Sequence, residues 1–510
     1  MAEYLPPAGF DLKTIGERLP APLHVGEQTS AGGRRAIYDT FDGRLRKAGL
    51  GLVQEDGLLR LVGADGNEVA ASPWQDKSET IKPDELEPGP LLDRVEPACG
   101  IRILIRTAEI ESTRRVLPIL DDEEKTVARL VAEDAVLSDG PRAGDAIRPR
   151  LHVLGVRGYD KELACVRAVI EDDLELIAAS ETFEDELKAR AGSSPAGLSS
   201  DADVELTPDL PADRATVALS MRLLHAIEAN LPGTLGDLDT EFLHDLRVAV
   251  RRSRALQREL KKVFPPVELE RFRQEFKWLQ QVTGPSRDLD VYLLEFGDFT
   301  ATVPEPQRHD LEVLRALLDE RRADERETME SALRSSRTTD LLHSWAEFLE
   351  RLPSLPVDER PRAVTPIGEL AARRIDRVYR QMVKMGRAID DQSPHEALHD
   401  LRKKGKELRY LLEFFAPLFP SNVTKPMVKT LKALQDTLGR FQDREVQAAM
   451  IRNLSPELAA RPGGAEALMA MGILVERLKE QQDAARAEFS ERFEAFSAPE
   501  QRTLVKKTFG

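Results

Sequence analysis

Leu243-His244-Asp245-Leu246-Arg247 recurs 155 residues later as Leu398-His399-Asp400-Leu401-Arg402. The same offset sets Arg254 on Arg409, Leu256 on Leu411, and Phe264-Pro265 on Phe419-Pro420. It continues with Lys277 on Lys432, Leu279-Gln280 on Leu434-Gln435, and Gly284, Asp288 and Val291 on Gly439, Asp443 and Val446. One ungapped register over about fifty residues marks an internal duplication. Two similar units packed about a pseudo-twofold follow from it. The apolar identities need only a shared fold, whereas the exposed polar ones need a shared task.

At 100° per residue, His244, Arg247, Arg251, Arg254 and Arg258 fall within an arc of about 80°, with Lys261 and Lys262 beside it. Leu246, Ala249, Leu256 and Leu260 take the opposite side, so this is an amphipathic helix with a cationic face. Between His244 and Lys262 there are seven basic residues, Arg252 among them, and two acidic ones. The second copy sets His399, Arg402, Lys406 and Arg409 opposite Leu401, Leu408, Leu411 and Phe415, with Lys403 adjacent. Arg373, Arg377, Arg380, Lys384 and Arg387 stripe the preceding helix, and Lys425, Lys429 and Lys432 a later one. Arg222 with His225 make a weaker pair.

A solvated helix ordinarily mixes charges, because opposite signs at i, i+4 stabilise and like signs repel. Several one-sign stripes therefore call for a compensating anion. Arginine forks suit phosphate oxygens, so converging stripes would form a groove for a long polyanion. His244 and His399 share these arcs and are expected to gain charge beside the anion, raising affinity as pH falls through about 6.5. The alternative reading makes them neutral hydrogen-bonding residues at the seam between units.

The remainder of the chain frames this segment. A length of 510 residues suggests about three domains, and 41% hydrophobic residues suffice for real cores. Low aromatic content with abundant Arg, Glu, Ala and Leu favours helix. The net charge of −16 argues against a general nucleic-acid binder, and basic faces without interleaved aromatics argue against base stacking. Cys99 and Cys165 cannot build a disulfide framework, which suggests a reduced, cytoplasmic setting. The first residues lack a signal-peptide pattern, and no apolar run is long enough to span a membrane.

Texture divides the chain at a stretch rich in Ala, Gly, Ser, Pro and Asp, read as a linker over 190–212. Residues 1–200 hold 25 basic and 37 acidic side chains, residues 201–510 hold 48 and 52. The first part, 1–189, reads as α+β, with strands at Ile101–Ile105 and Leu151–Val156, helices at Phe41–Gly49 and Asp160–Ala178, and a loop over Val69–Pro90. The second, 213–500, reads as all-α, with helices at Arg214–Asn230, Thr240–Phe264, Glu268–Val282, Asp310–Ser335, Ile367–Ile389, Ser393–Leu418, Lys425–Leu438 and Ala465–Phe493. Trp278, Trp345 and Cys165 are assigned to the core. Asp121-Asp122-Glu123-Glu124 reads as a solvated turn.

No phosphate-binding Gly-x-x-x-x-Gly-Lys loop and no Gly-x-Ser-x-Gly elbow occurs. A metal between the His-Asp pairs is disfavoured. Neighbours at i, i+1 diverge by about 100°, and the surrounding arginines repel cations. No cofactor is expected.

At His244-Asp245-Leu246-Arg247 with Arg251, Arg252 and Arg254, and His399-Asp400-Leu401-Arg402 with Lys406 and Arg409, the chain resembles the CHAD family over roughly residues 210–500. That resemblance implies two pseudo-symmetric helical bundles binding inorganic polyphosphate through basic side chains, often at polyphosphate granules. The first part resembles the CYTH family of triphosphate tunnel proteins at Ala36-Ile37-Tyr38-Asp39-Thr40, Arg44-Leu45, Ala48-Gly49-Leu50 and Val156-Arg157-Gly158-Tyr159-Asp160-Lys161. It lacks that family's N-terminal Glu-x-Glu-x-Lys strand, and Gln54-Glu55-Asp56 stands where a basic triplet belongs. The expectation is a degenerate tunnel and a polyphosphate binder without catalysis. Two alternatives stay open: a CYTH-type inorganic triphosphatase with the helical part as recruiting arm, and a protein that binds another polyanion or coats granules.

Overall fold

The computed structural model describes residues 2–7, 9–75, 78–140, 142–191, 205–390 and 392–510. The chain forms two compact units, Met1–Ser199 and Ser200–Gly510. Most of the expected linker, residues 192–204, lies outside the described residues.

Among the described residues, the first unit is built on an antiparallel sheet of eleven strands. They are β1 (Ala2–Leu5), β2 (His24–Val25), β3 (Thr29–Thr40), β4 (Leu50–Glu55), β5 (Leu58–Gly63), β6 (Glu68–Pro73), β7 (Thr80–Ile81), β8 (Leu104–Leu120), β9 (Thr126–Leu137), β10 (Arg150–Gly155) and β11 (Ile177–Ala178). The order is β11-β1-β10-β9-β8-β3-β4-β5-β6, with β2 and β7 pairing along β8. Among the described residues the unit also carries the α-helices α1 (Lys13–Gly16), α2 (Arg44–Lys47), α3 (Leu92–Cys99), α4 (Asp160–Ala168) and α5 (Phe183–Ala191).

Several local expectations change. Val69–Pro90 is not one loop, because its start is edge strand β6, paired with β5 and ended by Pro73. Pro cannot donate to a ladder, which suits it to that place. The strand expected at Ile101–Ile105 begins only at Leu104 and then runs seventeen residues. Alternation across β8 is diluted by Arg and Thr facing a polar side, which hid its length. The helix expected over Asp160–Ala178 ends at Ala168, followed by a π-helical turn to Asp173 and then β11. Cys165 is exposed rather than core, while Cys99 is buried.

One face of this sheet carries charge. In β3, Arg35, Ile37 and Asp39 share it by the period of two. Phe183 and Leu187 of α5 pack there against Ile37, Ile110 and Leu137. Around that contact the charges are already matched: Arg35 meets Glu133, Arg150 meets Glu186 at 2.8 Å, and Lys188 meets Asp39 at 3.1 Å.

The second unit is helical. Its elements are α6 (Ala212–Gly236), α7 (Thr240–Glu259), α8 (Pro266–Val282), α9 (Gly284–Leu294), α10 (Phe296–Ala301), α11 (Glu305–Arg308), α12 (Glu312–Arg334) and α13 (Ser336–Arg351). There follow α14 (Ile367–Arg387), α15 (His395–Phe415), α16 (Ser421–Asn453), α17 (Ser455–Ala459), α18 (Gly464–Ala487), α19 (Phe489–Phe496) and α20 (Pro499–Phe509). Asp239 caps α7 by accepting from the amides of Glu241 and Phe242. By the 155-residue offset α7 answers to α15, and α8 with α9 answers to α16. The second copy is one continuous helix through Gly439, where Pro285 breaks the first.

The repeats share one core rather than keeping one each. Leu246, Leu256 and Phe276 of the first join Leu401, Leu411 and Leu434 of the second. Trp345, expected in the core, joins it from α13 and stacks with Phe264 and Phe348. Trp278 is only half-buried, with Arg337 over its ring at 4.1 Å. The helices also run past residue 500, for Val505 and Phe509 of α20 belong to the same core. A second, smaller core lies where α9, α10 and α12 meet the end of α16 and α18.

Candidate polyanion-binding clefts

The cationic faces of α7 and α15 are held by equivalent anchors. Arg247 donates to the Gln280 carbonyl and to Thr283 Oγ1, both at 3.0 Å, beside Gly284. Arg402 donates to Asp443 at 2.9 Å, with Gly439 beside it. Each arginine thus reaches the helix that follows it in its repeat, fixing which way the face points. Burial pulls the Arg247 guanidinium below its ordinary range, with Asp288 opposing and Arg251 and Arg287 reinforcing. Burial raises the Asp288 carboxyl, against the pull of Arg247, Arg287 and Arg251.

A cleft of about 520 Å³ opens over these faces. Arg251, Arg254 and Arg258 of α7 line it, as do Arg273 and Lys277 of α8 and Lys403 and Lys406 of α15. Seven cations therefore face one carboxylate, Glu270. Arg258 is held by Glu259 at 2.8 Å, Arg273 by Glu270 at 3.4 Å, and Lys403 by Asp400 at 3.2 Å. Among the described residues Arg251, Arg254, Lys277 and Lys406 make no ion pair. A second cleft of about 370 Å³ is lined by Arg402, Lys406, Arg409 and Arg440 with Asp436 and Asp443. Lys406 lines both. Burial lowers its ammonium to about 8, reinforced by Arg402, Arg251 and Arg409 and opposed by Asp443.

The duplication breaks its own charge symmetry where the halves touch. Glu407 and Glu413 occupy the positions of Arg252 and Arg258 in the other copy. Arg252, buried, pairs with Glu413 at 2.9 Å. Arg374 bridges Glu259 at 2.6 Å and Glu407 at 2.8 Å. These acids neutralise the seam and also hold Arg258 and Arg409 on its flanks.

The remaining residues expected from the sequence line neither cleft. Arg252 points into the seam just described. Arg222 is half-buried and His225 exposed on α6. His244 is half-buried on α7, and His399 sets Nδ1 against Gln442 Oε1. Arg373 pairs with Glu369 at 2.8 Å and Arg380 with Asp376 at 2.6 Å, while Arg377 and Lys384 stand exposed on the same stripe of α14. Lys429 and Lys432 are exposed on α16. Sequence reading overlooked Arg273, Tyr410 and Arg440. Arg273 lies one turn before Lys277, a legible i, i+4 signal, but Glu268, Glu270 and Glu275 masked it.

Among the described residues no group of three or more His, Cys, Asp or Glu side chains is placed to hold a metal ion. Among them too, no helix is long and apolar enough to cross a membrane.

A duplicated helical domain with cation-lined clefts over its paired helices defines the class. Residues 218–452, within the helical unit, match the CHAD domain family. Its fold is shared by the crystal structure of the CHAD domain from the plant Ricinus communis, 24% identical, with a TM-score of 0.50 over 58% of this chain and 96% of that one. Two uncharacterized proteins of Mycobacterium tuberculosis, from strains CDC 1551 / Oshkosh and H37Rv, are 28% identical over 348 residues. That match covers 62% of this chain and 64% of each relative, so the chain spans somewhat under two thirds of their length. The N-terminal sheet unit is consistent with a CYTH-like domain.

Proposed function

We propose that the helical unit binds inorganic polyphosphate along the two clefts and does not turn it over. One observation carries this reading: unpaired cations from both repeats line a single cleft in a chain whose net charge is −16. A linear polymer of phosphates offers charge at every unit, and Arg251, Arg254, Lys277 and Lys406 offer forks and point charges along its path. A compact anion would engage only a few of them. Residence at polyphosphate granules belongs to the same proposal.

The first unit, in this reading, is not a triphosphatase. Its sheet face spends Arg35, Arg150 and Lys188 on Glu133, Glu186 and Asp39, leaving those cations engaged. Glu3, on the N-terminal strand, accepts from the Phe183 amide at 2.7 Å and lies beside Arg150 and His152. The test is titration of the full chain with long-chain polyphosphate, with RNA as competitor. Saturable binding that RNA displaces only weakly is expected. Equal displacement by RNA would make the site a general phosphate-backbone binder.

A further inference from the structure

Lys406 is set apart from the other cations of the clefts. It lines both, so its amine stands where the two cationic surfaces meet. Arg402 and Arg409 flank it on α15, Arg251 faces it from α7, and Asp443 from α16. Lys277 of α8 and Arg440 of α16 line the same clefts. It makes no ion pair among the described residues, unlike Lys403 and Lys404 beside it.

An amine in such a place has two properties that seldom coincide. The guanidiniums draw small phosphorylated molecules to it and can neutralise the bound phosphate themselves. Although the side chain is exposed, desolvation within the clefts and the same guanidiniums lower its amine to about 8. A neutral amine is a nucleophile, whereas an ammonium is not.

We propose that Lys406 is an acylation site, modified by acyl phosphates that the clefts concentrate, and that its acylation weakens polyanion binding. The second half rests on the polyphosphate reading, and the first does not. The Nζ lone pair attacks the acyl carbon and a nitrogen–carbon bond forms. The bond from that carbon to the bridging oxygen breaks, inorganic phosphate leaves, and the amine's proton passes to water. The product is a neutral amide between Arg251, Arg402 and Arg409, and the charge common to both clefts is gone.

The test is incubation of the full chain with acetyl phosphate at pH 8, with acetylation of each lysine followed by peptide mass spectrometry. Lys479, exposed on α18, is the reference. An amine lowered to about 8 is more often neutral at pH 8 than an ordinary lysine, and a Brønsted slope of about 0.4–0.5, borrowed from thiolates, removes part of that gain, so a rate advantage on the order of tenfold is expected. Anion concentration in the clefts should add to this, so p-nitrophenyl acetate, a neutral reagent, should show the smaller preference. Equal rates at Lys406 and Lys479 with acetyl phosphate would overturn the proposal. Fast acetylation that polyphosphate fails to suppress would uphold the site and count against the polyphosphate reading. Slow acetylation in a chain that binds polyphosphate would do the reverse.

Discussion

Lys406 carries opposite consequences for stability and for binding. Its folded-state value of about 8 lies below that of an unfolded lysine, so the unfolded chain holds more protons between about pH 8 and 10.5. Stability therefore rises with pH across that window, and below it the charged amine is a cost to the fold. Lys406→Gln is expected to raise Tm while weakening polyphosphate binding, the exchange seen where sites hold like charges together. Bound polyanion favours the ammonium, so affinity should hold level up to about pH 8 and decline above it. Calorimetric titration at several pH values, in buffers of different ionisation enthalpy, reads both the affinity and the proton uptake. The histidine-driven rise below pH 6.5 expected from the sequence has less geometric support, because His244 and His399 line neither cleft. Arg252 gives the contrasting case. Arg252→Gln removes the buried partner of Glu413, which Arg409 still holds, and should cost about 1 kcal/mol of stability by chemical denaturation, with little change in polyphosphate affinity per folded molecule.

At the scale of elements, α7 and α15 were legible because duplication preserves both an apolar stripe and a polar one. Leu246 with Leu401 and Arg254 with Arg409 are enough to place both faces. What the helical wheel could not reveal is which cations meet. The α14 stripe looked as cationic as α7, but none of its cations lines either cleft, and Glu369 and Asp376 partly neutralise it. Nor could a wheel show that Glu407 and Glu413 sit at the seam, since that depends on how the two copies cross. In the first unit the reading was weaker, because short antiparallel strands with charged faces lack a clean period. The geometry also decides where charge reversals are informative. Arg247 anchors α7 to the end of α8, so reversing it would attack the fold. Arg251→Glu with Lys277→Glu spares that anchor in the first half, and Lys403→Glu with Arg409→Glu does so in the second. If both repeats form one path, each pair should weaken binding about 100-fold or more, several kcal/mol of like-charge penalty, with helicity by circular dichroism unchanged. Full affinity in either variant would mean independent sites.

For the whole molecule, the separation between an acidic chain and a cationic path governs how binding responds to salt. Residues 1–200 hold most of the excess acid, 37 against 25 basic residues, and the clefts lie in the other unit. Long-range attraction between the whole protein and a polyanion is therefore opposed by its net charge of −16, and local contacts must supply the affinity. Each local contact releases condensed counterions from the polymer, so log K should fall linearly with log salt, by analogy with nucleic acid. With ~6–10 contacts, raising salt from about 50 to 200 mM should weaken binding by ~10³–10⁵-fold. The acidic unit adds a second signature. Deleting residues 1–204 should raise affinity at low salt by removing repulsion, while the two proteins converge at high salt as screening shortens its reach to about 3 Å near 1 M. The same pair of proteins tests catalysis. Neither should hydrolyse triphosphate with magnesium or manganese, because metal-assisted phosphoryl transfer needs carboxylates free to hold the ion. Metal-dependent turnover present in the full chain and lost on that deletion would assign the first unit an enzyme's role, with the clefts serving to recruit its substrate.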